Sequence, residues 1–139
     1  MRPALRSMIG PAIAVRVQTM FQAVIIVAHA VVGWGLCGAT IGLGRKLTTL
    51  HNALIAHAIA APLIFAGVSA VYFRWFGGTG PAATAALFVG IVIALDVFVS
   101  ALLVEKSFAM FRSVVGTWLP FALIFLATWL TGVVAEAVS

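Results

Sequence analysis

Pro81 to Val104 reads PAATAALFVGIVIALDVFVSALLV, an apolar run whose one charged residue is Asp96. At about 1.5 Å of rise per residue, such a run crosses the roughly 30 Å hydrocarbon core of a bilayer as one helix. Three further runs of similar length, at 19–43, 50–73 and 114–135, join this third one, set at 82–104. Polar breaks at Gly44-Arg45-Lys46, Arg74 to Pro81 and Glu105 to Ser113 separate them. Lipid has no partner for an unpaired backbone group, so runs of this kind close their hydrogen bonds within a helix. Barrel strands are segments of about ten residues with alternating polarity, which these unbroken runs are not. The sequence therefore predicts an all-α integral membrane protein. Short connections make consecutive helices antiparallel neighbours, in a four-helix transmembrane bundle of up-down-up-down order.

The composition agrees. Hydrophobic residues make up 64% of the chain and charged residues 8%, against about 45–50% and about 25% in soluble domains. The net charge of +5 resides at the ends of spans, where it meets lipid headgroups, so a nucleic-acid partner is not expected. The single cysteine, Cys37, excludes an internal disulfide and any metal site built on several thiolates. No metal site is expected from the histidines either, because His51 and His57 lie six residues apart, about 120° around a helix. They lack the i, i+4 spacing of a helical zinc pair.

Residues 1–18 form a basic leading segment with Arg2, Arg6 and Arg16, and residues 19–139 a single four-span domain. Pro11 argues against one continuous helix through the leading segment, which suits a position in the membrane interface. Ala28-His29-Ala30 has the small-x-small form of a signal-peptidase site. Cutting there leaves only Val31 to Leu43 of the first span, too short to cross. Lys and Arg counts tie between the two sides, four against four, so charge does not set the orientation.

A carboxylate at the centre of a spanning helix costs at least about 2.5 kcal/mol on insertion scales. Asp96 is therefore expected to face protein. Depth along the helices sets His57 level with it, and His29 lies within possible reach. Residues at i+3, i+4 and i+7 share a face. Asp96 thus continues to Val92, Ile93 and Ser100, His29 to Gly33, Leu36 and Thr40, and His57 to Ala53, Ala60 and Ala61. The candidate intramembrane site is Asp96, His57, His29, Ser100 and Thr40. It reads either as a proton or cation site or as a polar pin between helices.

Arg45, Lys46, His51, Asn52, Glu105, Lys106 and Arg112 gather at one membrane boundary. They form an interfacial collar or, more specifically, a rim for an anionic headgroup. Gly38 and Gly42 have the small-xxx-small spacing of close helix approach, either within the bundle or against a second copy. Pro62 and Pro120 fall inside spans and free the carbonyls of Ala58 and Gly116.

The expected partner is the lipid bilayer, with a homodimer or a larger membrane complex beyond it. The leading reading of function is a structural or accessory subunit of such a complex. A proton-coupled small transporter or channel using Asp96 is the main alternative. Two lesser alternatives are a redox subunit holding haem b between His29 and His57 and a membrane enzyme acting on a lipid-soluble substrate through Asp96 and His57. No other cofactor is expected.

Overall fold

Glycine and proline set the helix ends. In the computed structural model, which describes residues 3–104, 109–112 and 114–138, helix α1 (Pro3–Ile9) stops at Gly10. Gly10 has φ 79°, a left-handed conformation that side chains other than glycine's resist. Helix α2 (Pro11–Leu47) follows at once, with Pro11 in its first turn, where the missing N–H is one the helix never used. The first membrane helix therefore starts well before residue 19. Arg16 and Gln18 lie where charge costs little, so they do not interrupt it. Its 37 residues measure about 55 Å, far more than a bilayer core.

Thr49 caps α3 (Leu50–Trp75) by accepting from the Asn52 N–H at 3.2 Å. At the other end, Gly77 (φ 53°) returns its N–H to the Tyr72 carbonyl at 2.9 Å and turns the chain away. Helix α4 (Pro81–Leu95) continues as a π-helical segment, Asp96–Val104. A 3-10 turn (Ala109–Arg112), a second π-helical segment (Val114–Trp118) and α5 (Leu119–Ala137) complete the described chain. Pro62 lies within α3 as expected. Pro120 does not lie within a continuous helix; it occupies the first turn of α5, where the backbone passes from π to α geometry.

Four helical stretches, Pro11–Leu47, Leu50–Trp75, Pro81–Leu103 and Leu119–Ala137, are long and apolar enough to cross a membrane. The expected all-α four-helix bundle is the fold. Its neighbour relations differ from expectation at one pair. Helix α2 packs against α3 and α4, and α5 packs against the same two, so α3 and α4 face each other across the diagonal although they are consecutive. The five residues 76–80 can extend about 17 Å, enough to cross the end of the bundle. The Phe88 ring of α4 reaches over the diagonal to Phe65 and Tyr72 of α3, with centroids 6.0 and 5.9 Å apart.

Small and polar residues lie inside, and large aliphatic ones face outward. Ala30, Ala53, Ala61, Ala85, Ser69, Thr84 and Thr128 are fully enclosed around Phe65, Tyr72, Phe88 and Ile124, whereas Val24, Leu63, Phe98 and Val134 are exposed. That inversion suits a lipid surround, which rewards close backbone approach rather than burial of bulk. The closest approaches use glycines other than the expected pair. A Cβ at Gly33 would lie 2.5 Å from the Phe65 ring, one at Gly44 2.8 Å from Ala53, and one at Gly132 2.7 Å from Phe73 and Pro81. A Cβ at Gly38 or Gly42 would meet nothing within 4 Å. These two glycines therefore take no part in packing within the bundle.

The contrast is testable. Gly33→Ala should destabilise the bundle by about 1–3 kcal/mol through overpacking against Phe65. Gly38→Ala should leave stability unchanged or raise it by up to about 1 kcal/mol, since alanine favours helix. Reversible unfolding in mixed micelles of both variants measures the difference.

Candidate intramembrane polar site

Asp96 stands where α4 gives way to the first π-helical segment, and its N–H is shared between the carbonyls of Val92 and Ile93. π-Helical turns are uncommon and concentrate at functional positions. Its carboxylate is partly buried and takes two hydrogen bonds, both on Oδ1. The Trp34 indole Nε1–H of α2 donates at 2.8 Å, and the Ser100 hydroxyl, one turn along, donates at 3.3 Å. The Ser100 partnership was legible from i+4 spacing. The Trp34 partnership was not, because α2 becomes a neighbour of α4 only in the folded bundle.

No hydrogen bond joins Asp96 to His57 among the described residues. The two lie on the diagonal pair of helices, and Trp34 of the intervening helix reaches the carboxylate instead. His57 is 7% exposed, and its Nδ1 is buried without a hydrogen-bond partner among the protein's described groups. His29 belongs to another level. The packing of Gly33 on Phe65 and of Gly44 on Ala53 fixes the antiparallel register of α2 and α3. It puts His29 beside Val68 and Ser69, about 17 Å along the axis from His57. Its Nδ1 donates to the Ile25 carbonyl at 2.7 Å, and its ring stands edge-on to Tyr72 and Phe76 at 5.6 and 5.3 Å. The two histidines that would bracket a haem are thus not level. The Thr40 hydroxyl donates to its own helix, at the Leu36 carbonyl, 3.0 Å away.

A second polar cluster, missed in the sequence, surrounds His29's end of the bundle. The Tyr72 hydroxyl donates to Gln22 Oε1 at 3.4 Å and lies 3.0 Å from Thr79 Oγ1. Thr79 bonds Thr84, which also donates to the Gly80 carbonyl at 2.8 Å. The Gln22 carboxamide fills the place a side chain at Gly78 would need. The hydroxyls of Thr79 and Thr84 flanking Gly80-Pro81 were the visible signal. Below this cluster, Ser69 donates to Thr128 at 3.1 Å and ties α3 to α5.

Of the collar, Arg45, Lys46, His51, Asn52 and Arg112 are exposed, while Glu105 and Lys106 lie outside the described residues. Asn52 lies in the first turn of α3, where its Nδ2 donates to Thr48 Oγ1 at 3.1 Å.

One face of α2 stays open. Val17, Phe21, Val24, Ala28, Val31, Gly35, Gly38 and Gly42 recur at alternating steps of four and three along the helix, and every one is exposed. A Cβ at any of the three glycines would meet nothing within 4 Å.

Comparison with known protein families, curated proteins and solved structures finds no match.

If the Trp34–Asp96 bond pins α2 to α4, Trp34→Phe should destabilise the bundle by about 0.6 kcal/mol, and by no more than about 1.7. The penalty should vanish in an Asp96→Ala background, which removes the acceptor, as a double-mutant cycle in micelles would record.

Proposed function

We propose that this chain is an accessory subunit of a multi-pass complex in the cell membrane, of the bacterial inner-membrane type, and that it docks through the open face of α2. The exposed run ending in Gly35, Gly38 and Gly42 carries this reading. Its 3.5-residue repeat is the spacing at which a second helix crosses at a shallow left-handed angle. The three glycines let that helix approach closest near the Arg45 end. Lipid tails gain little from so thin a surface, whereas a helix with small residues in the same repeat gains close van der Waals contact. The occupant is accordingly a spanning helix of another subunit. Gly38→Leu should abolish co-purification of a membrane partner from native membranes while the bundle stays folded. Gly67→Leu, at an open glycine on α3, should not. A wild-type chain that emerges free of other membrane proteins overturns the reading, and a homodimer in its place assigns the face to a second copy.

A second reading rests on a different observation. Both described donors to Asp96 use Oδ1, so Oδ2 remains available to a proton or a monovalent cation. An ionisable group at this depth commonly marks an ion or proton pathway. On this reading the protein is a small proton-coupled transporter or channel. In liposomes under a pH gradient, Asp96→Asn should abolish proton-coupled flux with the bundle intact; undiminished flux would sink the idea.

A further inference from the structure

The buried nitrogen of His57 has a second group at its level. Ser69 of α3 bonds Thr128 of α5, and Gly132 of α5 packs on Phe73 of α3. Both pairs are 59 residues apart, so α3 and α5 run parallel with a constant offset. Carried toward the other membrane face, that offset puts Thr117 beside His57 and Ala58. Thr117 is 2% exposed and lies in the π-helical segment Val114–Trp118, which packs against α3. The antiparallel register of α4 and α5, fixed by Pro81 against Gly132, brings Asp96 to the level of the same Thr117. One layer of the core therefore carries His57 from α3, Thr117 from the segment leading into α5, and Asp96 with Ser100 from α4. From α2 come Cys37 and Thr40, and the Trp34 side chain reaches Asp96 from further along the same helix. The segment that carries Thr117 packs against α3 and leads into α5, which neighbours both α3 and α4.

The side chains stacked one turn above and below His57 on its own helix are the methyl groups of Ala53 and Ala61, both fully buried. A buried imidazole nitrogen demands a partner, and internal waters in proteins supply such partners at polar sites with room for them. We propose that the core at this level holds an internal water that hydrogen-bonds both His57 Nδ1 and the Thr117 hydroxyl. A threonine hydroxyl donates and accepts at once. Water and threonine together then join His57 of α3 to the segment that leads into α5. Thr117 is thereby a member of the polar site that neither helix spacing nor depth in the sequence singled out. The chain His57–water–Thr117 ties α3 to the π-helical segment before α5, and the site exists whether or not the protein carries flux.

Water-edited solid-state NMR of isotope-labelled protein in lipid bilayers tests this directly. Magnetisation should pass from water to the His57 ring nitrogens several-fold faster than to Ala61. Thr117→Val should remove most of that gain, and Thr117→Ser, which keeps the hydroxyl, should preserve it. Transfer to His57 no faster than to Ala61 overturns the proposal. A thermal measurement tests it independently. His57→Leu should lower the melting temperature if the nitrogen is bonded to water; a raised melting temperature, expected on removing an unmet polar atom, refutes it. These readouts report water contact rather than flux or co-purification, so their failure leaves both functional readings where they stood.

Discussion

Inside a bilayer no solvent stands ready to satisfy a polar group, and the whole bundle is arranged under that constraint. Among the described residues, backbone groups are paired chiefly within helices, and deep side chains such as Ser69, Tyr72 and Asp96 find partners across the core. Ser69 meets Thr128, Tyr72 meets Gln22 and Thr79, and Asp96 meets Trp34 and Ser100. The exposed surface is left to valine, leucine and phenylalanine. The interior is narrow, held by Gly33, Gly44 and Gly132 pressed against facing side chains.

The connection from α3 to α4 decides which polar groups meet. Had consecutive helices been neighbours all round, α3 would lie against α4, and His57 would be the natural partner for Asp96. The loop at Gly77 to Gly80 instead carries the chain across the end of the bundle, and α2 and α5 fill the two positions between. Trp34 then inherits the carboxylate, and the Nδ1 of His57 is left without a hydrogen-bond partner among the described groups. Asp96 opens one π-helical segment, Asp96–Val104, and Thr117 lies in the other, Val114–Trp118.

Helix α2 plays a different part from the other three. Its inner side supplies Gly33, Trp34, Cys37 and Gly44 to the core, while the opposite side presents a regular repeat of small and β-branched residues to the outside. A helix that packs closely on one face and stays open on the other is suited to link this bundle to a further spanning helix. The basic residues Arg45 and Lys46 at its end would lie among headgroups beside such a partner.

Several features were legible in the chain itself. Apolar runs of bilayer length determined that it is a helical bundle with four spans, because hydropathy and length are properties of each run alone. The isolated charge of Asp96, its i+4 hydroxyl at Ser100, and the common depth of Asp96 and His57 follow from helical rise and repeat, which are equally local. Which helices are neighbours is not local. It depends on how four similar cylinders pack and on a glycine-rich loop able to cross the bundle end. The sequence could therefore set His57 and Asp96 at one level without revealing that they lie on opposite helices. The same limit applied to the glycines: spacing marked Gly38 and Gly42 as packing residues, but only the tertiary structure shows that Gly33, Gly44 and Gly132 pack inward while the marked pair faces out. Depth in the membrane is encoded one helix at a time, and partnership is settled by the assembly of all four.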